Sequence, residues 1–310
     1  MRKKVLILPI VMAFMALVLS GCEPLMVFDP KGPNARTLSN TILISIATMI
    51  IILLAVYIIL AVVLTKYRAS KLPADYEPPH EEGNRKLEFL WTAIPIVIVA
   101  FLAVVTIWSL EKVEQPQTEG YANKTPLVIY ASSSEWKWHF SYPEEGIETV
   151  NYVNIPTDRP IEFRLYSYGM MTSFWVPQLA GQKYAMSDMV TKIHLAAEEE
   201  GEYFGRNSLF NGPGFEAQQF EVQAMKQADY DEWVQDVQSS EPKLTEEKFN
   251  ELLNAAHVGR ESFSSTHLSF SPAPASHADM MKAETYNKAK ADQTGNGSLH
   301  IHRQQGHPAE

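Results

Sequence analysis

Thr41–Leu64 reads TILISIATMIIILLAVYIILAVVL, and Phe89–Leu110 reads FLWTAIPIVIVAFLAVVTIWSL. Neither run, of 24 and 22 residues, contains a charged side chain. At about 1.5 Å per residue they form helices about 36 and 33 Å long, against a bilayer hydrocarbon core of about 30 Å. Helices buried in soluble proteins are seldom this long and this uniformly apolar, so both runs are predicted to cross a membrane. Trp91, Trp108 and Tyr67 stand near the ends, where amphipathic rings favour the headgroup level. Pro95 lies early in the second run, where losing a backbone donor costs least. Lys66, Arg68, Lys71, Arg85 and Lys86 crowd the loop 65–88, which places that loop in the cytoplasm. Both flanks then face outward: a short segment 22–40, and about two hundred residues after the second span.

Upstream, Arg2, Lys3 and Lys4 precede the apolar stretch Val5–Leu19, and Leu19-Ser20-Gly21-Cys22 follows. A cationic start, a short apolar core and small residues describe a secretory signal over 1–21. The pattern resembles a bacterial lipobox, in which cleavage leaves Cys22 as a lipid-modified N-terminus. The alternatives are an uncleaved third span and a signal with an incidental cysteine. Acyl chains anchor by about 0.8 kcal/mol per buried CH₂.

Downstream the composition changes. Residues 1–110 carry ten Lys/Arg against seven Asp/Glu, a balance of +3, whereas residues 111–310 carry 16 against 29, a balance of −13. An acidic bulk without a basic stripe releases no phosphate counterions, which argues against a nucleic-acid partner. Cys22 is the one cysteine of the chain, so internal disulfides, Cys-based zinc sites, Fe–S clusters and paired-thiolate copper centres are excluded. After a linker 111–125, residues 126–228 alternate apolar and polar side chains in short runs. These are Leu127–Ala131, Trp136–Tyr142, Val150–Ile155, Ile161–Tyr166, Met189–Leu195 and Gln219–Gln223, divided by Pro- and Gly-containing turns. Such spacing predicts an all-β sandwich. Residues 229–260 form a helical segment, with helices over Asp229–Val237 and Glu246–Ala256. Residues 261–310, rich in Ser, Ala, Pro and His, read as a disordered tail.

Several strings then occur in a telling order: Trp91-Thr92-Ala93-Ile94-Pro95-Ile96, Glu135-Trp136-Lys137-Trp138, and Ser173-Phe174-Trp175-Val176-Pro177-Gln178-Leu179. Tyr184-Ala185-Met186, Glu202-Tyr203-Phe204-Gly205 and Asn211-Gly212-Pro213-Gly214-Phe215 complete the series. Two spans followed by a sandwich bearing these strings resemble subunit 2 of the haem–copper terminal oxidases, over roughly residues 40–240. The resemblance implies a membrane helical hairpin carrying a cupredoxin-like domain.

Members that accept electrons from cytochrome c hold two coppers in that domain through two cysteines, two histidines, a methionine and a carbonyl, soft donors that suit the metal. Aligned by the family's spacing, these vestigial copper-ligand positions fall on Thr172, Asn207, Leu209, Asn211, Phe215 and Gln218. No metal-binding side chain of the family remains at them. The resemblance therefore implies the quinol oxidase branch: electrons arrive from quinol through the lipid phase, with no direct cytochrome c partner. It implies a subunit without haem or copper of its own, in a proton-pumping complex that reduces O₂ to water. The haems and copper are expected in subunit 1, and smaller subunits complete the assembly. The expected location is the bacterial cell membrane, with the C-terminal domain outside.

Glu88 lies just before the second span, where related oxidases place a glutamate at the mouth of a proton channel into subunit 1. A carboxylate at a membrane interface can collect protons and pass them inward. The alternative is a solvated interfacial glutamate beside Arg85 and Lys86. Trp136-x-Trp138 puts two indoles on one face of a strand, for packing or subunit contact. His139 and His194 read as packed or surface groups, and the tail histidines His267, His277, His300, His302 and His307 as a soluble segment without a site. The competing function is a free-standing membrane lipoprotein whose metal-free, cupredoxin-like module binds a ligand. No hydrolase triad or metal-ligand spacing rises above chance.

Overall fold

A computed structural model describes residues 25–66, 68, 83–116, 121 and 124–276. The leader, Cys22 and the histidines His277, His300, His302 and His307 lie outside the described residues.

The apolar runs sit in two helices, α1 (Pro33–Lys66) and α2 (Arg85–Glu114), both longer than the charge-free spans. Pro33 opens α1, where its missing N–H removes no helical bond. Asn84 caps α2 by accepting from the amides of Lys86 and Leu87 at 3.1 and 3.3 Å. The additional turns lift the helix ends beyond the hydrocarbon toward the β-domain, so part of the expected segment 22–40 and linker 111–125 is helical. Thr41 Oγ1 and Ser109 Oγ, 2.9 Å apart, join the helices at that level. Along the spans the large side chains face outward, Ile51 68% and Phe89 75% exposed, surfaces that suit lipid or neighbouring helices.

The β-domain is a sandwich. One sheet runs β11–β3–β2–β1–β5–β8 and the other β4–β10–β9–β6–β7. Their strands are β1 (Leu127–Ser134), β2 (Lys137–Tyr142), β3 (Ile147–Val150), β4 (Tyr152–Pro156), β5 (Ile161–Ser167) and β6 (Thr172–Trp175), then β7 (Gln182–Ala185), β8 (Thr191–Leu195), β9 (Gly201–Asn207), β10 (Gln219–Met225) and β11 (Glu261–Phe263). Most pairs are antiparallel, but β1 lies parallel to β5 and β10 parallel to β4. The inward faces meet in an aromatic core. Phe174 stacks on Phe220 with centroids 5.0 Å apart, and Trp138 meets Phe174 edge-on at 5.4 Å. Gly205 faces this core so closely that a Cβ there would lie 2.2 Å from the Phe220 ring.

Two helices follow, α3 (Gln227–Ser240) and α4 (Glu246–Asn254). Strand β2 is buried on both faces, which an alternating pattern does not foretell. Trp138, Phe140 and Tyr142 point into the sandwich. Lys137, His139 and Ser141 point the other way and are covered by the chain from 241 to 276.

That strap corrects the expectation of a disordered tail from residue 261. Strand β11 pairs with the edge of β3, and Val190 bridges Ser276 in parallel. Phe263 joins Val150, Leu244, Phe249 and Leu252 in a second apolar cluster. The order arises from isolated anchors, not from a periodic stripe. A second correction concerns Trp136. It lies in the β1–β2 turn at φ 61°, off the strand, so its indole does not share a face with that of Trp138. Its ring packs on the loop backbone, and a Cβ on Gly214 would lie 2.3 Å from it.

The domain is fixed to the helix ends by backbone and side-chain bonds. Lys31 N donates to Gln178 O at 2.7 Å, and Ala35 N to Leu179 O at 3.2 Å. Asn34 Nδ2 donates to His194 O, and Arg36 pairs with Glu198. Gly32 permits the approach, since a Cβ there would come within 2.3 Å of Ala196 O.

Candidate functional site

The positions expected to be vestigial copper ligands converge at one end of the sandwich. Asn207 closes β9 and Thr172 opens β6. Leu209 and Asn211 belong to the loop that follows β9, and Gln218 immediately precedes β10. Asn207 is wholly buried and acts as the hub. Its Oδ1 accepts from the amides of Ser173 and Leu209 at 2.9 and 3.0 Å. Its Nδ2 faces three acceptors: Leu209 O at 2.9 Å, Gln218 Oε1 at 3.0 Å and Asn211 Oδ1 at 3.1 Å. Both ends of the amide are therefore engaged.

The network continues outward. Gln218 Nε2 donates to Lys137 O at 3.4 Å, and Asn211 Nδ2 to Met171 O at 3.3 Å. Thr172 hydrogen-bonds the Ser133 hydroxyl at 2.7 Å. Phe215 stands apart from the amides, against Phe210 and under the Arg206 guanidinium. A cavity of about 170 Å³ lies over the cluster, bounded by Trp136, Met170, Thr172, Asn211 and Gln218. Met170, Met171 and Phe210 nearby are exposed by 58%, 43% and 77%. Here side-chain amides hold loop to strand. Among the described residues, no three His, Cys, Asp or Glu side chains converge as a metal site.

Glu88 lies in the first turn of α2, exposed. Its amide donates to Asn84 O at 2.9 Å, and Thr92 Oγ1 returns to Glu88 O at 3.0 Å. Among the described residues Glu88 makes no ion pair with Arg85 or Lys86. A carboxylate in a first helical turn also complements the helix dipole.

A polar cluster that sequence reading missed lies beneath the strap. Glu148, His139 and His267 have no solvent exposure. Glu148 Oε2 accepts from His267 N at 2.9 Å, from His267 Nδ1 at 2.7 Å and from Ser141 Oγ at 2.8 Å. Tyr166 OH lies 2.6 Å from His267 Nε2, and His139 Nε2 lies 2.8 Å from Ser134 Oγ. Burial, aided by His267 and Lys137, holds the His139 imidazole well below its ordinary pKa. The alternation that placed His139 on a strand was a legible signal. The pairing of Glu148 with His267, more than a hundred residues apart, was not.

Lys137 is also fully buried. Its ammonium donates to Glu135 O at 2.9 Å and to Ala255 O at the end of α4, where a cation complements the helix dipole. Burial lowers its pKa to about 8.

Comparison with known proteins supplies the lineage. The family described as "Cytochrome C oxidase subunit II, transmembrane domain" matches residues 29–111. Quinol oxidase subunit 2 of Bacillus cereus (strain ATCC 10987 / NRS 248) is 45% identical over 255 residues, 82% of this chain and 87% of that one. Quinol oxidase subunit 2 of Bacillus subtilis (strain 168) is 46% identical over 255 residues, covering 82% and 79%. Among solved structures, the periplasmic domain of subunit II of cytochrome oxidase of Bradyrhizobium japonicum superposes with a TM-score of 0.35 at 18% identity, covering 36% of this chain and 93% of that one. Identity of 45% and 46%, over 87% and 79% of these relatives, decides the lineage: the chain belongs to the quinol oxidase subunit 2 family.

Proposed function

We propose that this chain is the non-haem subunit of a quinol-driven, proton-pumping oxidase, supporting subunit 1 and holding no copper centre of its own. The observation that carries the reading is the saturated amide of Asn207. The fold family implies copper at this end of the sandwich, and the residues present do not fit it. Copper asks for thiolate, imidazole and thioether donors. Here Asn, Gln and Thr supply neutral oxygen and nitrogen already committed to one another, beside the apolar Phe215. No electron-transfer step is assigned to the site. A donor oxidised elsewhere in the assembly, as a membrane quinol is, needs no relay through this domain.

In this reading the hairpin packs against the helices of subunit 1, and the exposed Met170, Met171 and Phe210 form an apolar patch for the same partner. The Lys/Arg bias of the loop 65–88 puts the β-domain outside, and Cys22 carries the lipid anchor. Glu88, at the cytoplasmic entry of α2, gathers protons for subunit 1 and is not catalytic itself.

Affinity purification of the tagged chain from membranes tests the assignment. A haem-containing polytopic partner and quinol-dependent O₂ uptake are expected to co-purify. A chain that purifies alone, without haem absorbance, argues for the free-standing lipoprotein. Two tightly held coppers on the separated subunit overturn the metal-free site.

A further inference from the structure

Between the domain-side ends of α1 and α2 and the β7–β8 edge lies a cavity of about 480 Å³. Leu38 and Ile42 of α1 and Leu110 and Val113 of α2 form its apolar wall, and Lys183 and Lys192 stand on its rim. Ile42 and Leu110 mark the ends of the charge-free runs and are 36% and 56% exposed. The wall is therefore continuous with the outer surface of the spans, at the level where the helices leave the hydrocarbon. An acyl chain can slide in sideways along Leu38, Ile42, Leu110 and Val113, burying apolar surface against apolar surface.

The rim has a definite charge. Lys183 Nζ contacts both Glu114 oxygens, at 2.6 and 2.9 Å. Lys192 Nζ lies 3.2 Å from Glu162, whose carboxylate Arg164 also holds at 2.8 Å. Of the charged groups that line the cavity, Lys183 and Lys192 against Glu114 leave one positive charge, which is what a single phosphodiester neutralises; Arg164 shares Glu162 from outside the cavity. Each ammonium has three donors and can take a phosphate oxygen beside its carboxylate. His194, which also lines the cavity, is half-buried, and burial lowers its pKa, so it adds no charge near pH 7.

We propose that this cavity is a binding site for an anionic phospholipid of the leaflet on the β-domain's side, its phosphate between Lys183 and Lys192 and one acyl chain between Ile42 and Leu110. The inference rests on the reading of α1 and α2 as membrane spans, and not on the quinol chemistry. A zwitterionic lipid or a neutral quinone fits the apolar wall but leaves the rim charge unanswered.

The test uses the intact complex in nanodiscs of phosphatidylglycerol or of phosphatidylcholine, each doped with a photoactivatable analogue of the same lipid. Labelled peptides are read by mass spectrometry. Phosphatidylglycerol should label the Leu38–Ile42 and Leu110–Val113 segments several-fold more than phosphatidylcholine. The double change K183Q/K192Q should bring the two lipids level, and K183R/K192R should preserve the difference. Leu38→Trp, which fills the wall, should lower labelling by both. Equal labelling by the two lipids in the native protein, or a preference untouched by K183Q/K192Q, overturns the site. Haem absorbance and quinol-driven O₂ uptake, measured on the same discs, report separately on the subunit assignment: selective labelling without them leaves the lipid site standing and removes the oxidase role.

Discussion

His267 Nδ1 donates to Glu148 Oε2 across 2.7 Å, and neither side chain has any contact with solvent. The pair joins the strap to β3, and Oε2 takes all of the hydrogen bonds, since Oε1 lies 3.9 Å from His139 Nδ1 with no hydrogen-bond partner among the described residues. Ser141 and the His267 amide give the carboxylate two further donors, while Tyr166 OH serves the far ring nitrogen. Removing one partner of a buried hydrogen-bonded pair strands the groups that remain. From this arrangement follow measurable consequences.

Glu148→Ala leaves the His267 ring, its amide and Ser141 without their acceptor. The cost should be about 3–5 kcal/mol, the range for breaking a buried pair. It should appear as a lower melting temperature of the purified protein and as new proteolytic cuts within residues 241–276. An unchanged melt and an intact strap would contradict the pairing.

His139 gives the domain an acid limit. Burial depresses its folded pKa, so the folded state holds it neutral while the unfolded chain takes up a proton below about pH 6.5. The unfolded state then binds more protons, and stability should fall as pH drops below that value, by at most about 1.4 kcal/mol per pH unit for one site. Thermal melts of wild type and His139→Gln between pH 7 and 5 check this. The variant should show the shallower acid limb.

At the alkaline end the sign favours folding. The Lys137 pKa is lowered from 10.5 to about 8, so between those values the unfolded chain holds a proton that the folded chain has released. Stability should therefore rise as pH moves from 8 toward 10.5. Lys137→Met should abolish that rise and, by orphaning the Ala255 carbonyl, cost about 1–3 kcal/mol at neutral pH. Chemical denaturation at pH 7.5 and 9.5 distinguishes the two effects.

If the amide cluster occupies the place of a copper centre, restoring the ligands should restore the metal. The combined variant T172H/N207C/N211C/F215H/Q218M is expected to bind copper and develop intense visible thiolate-to-copper absorption. The same variant with both Asn207 and Asn211 kept, which has no thiolate at the site, should not. A colourless product with native secondary structure would refute the mapping.

Glu88→Gln should slow quinol-driven O₂ uptake several-fold and weaken proton uptake, while haem content and assembly stay normal. Its carboxylate is exposed at a helix start and makes no ion pair among the described residues, so neither packing nor charge pairing is disturbed. Unaltered turnover would leave Glu88 with the helix-dipole role alone.

The membrane hairpin was legible because nothing but uniform apolarity is needed to specify a span, and Thr41–Leu64 and Phe89–Leu110 have it. The sandwich was legible in its longer strands, such as β1, β5 and β10, where alternation persists. Strands β3, β6, β7 and β11, of three or four residues, are too short for any period to register. The extra turns of α1 before Thr41 were hidden because Pro33–Asn40 is polar, and what makes it helical is contact with the domain. The resemblance directed attention to Thr172, Asn207, Asn211 and Gln218, and the fold brings these four to one end of the sandwich. The amides' mutual hydrogen bonds were not legible, since they depend on a loop folding back on two strands. The strap was misread because its anchors, Phe249, Phe263 and His267, are spaced by tertiary need. Glu148 and His267 are individually unremarkable in the sequence, and only the fold makes them partners.

The bolting of the sandwich to the ends of α1 and α2 makes hairpin and head one lever. With Gly32 pressed on Ala196 and Lys183 gripping Glu114, a lean of the spans in the bilayer must be carried into the aqueous phase and enlarged there. Bilayer thickness, which sets that lean, thereby becomes a mechanical input to the far tip of the domain.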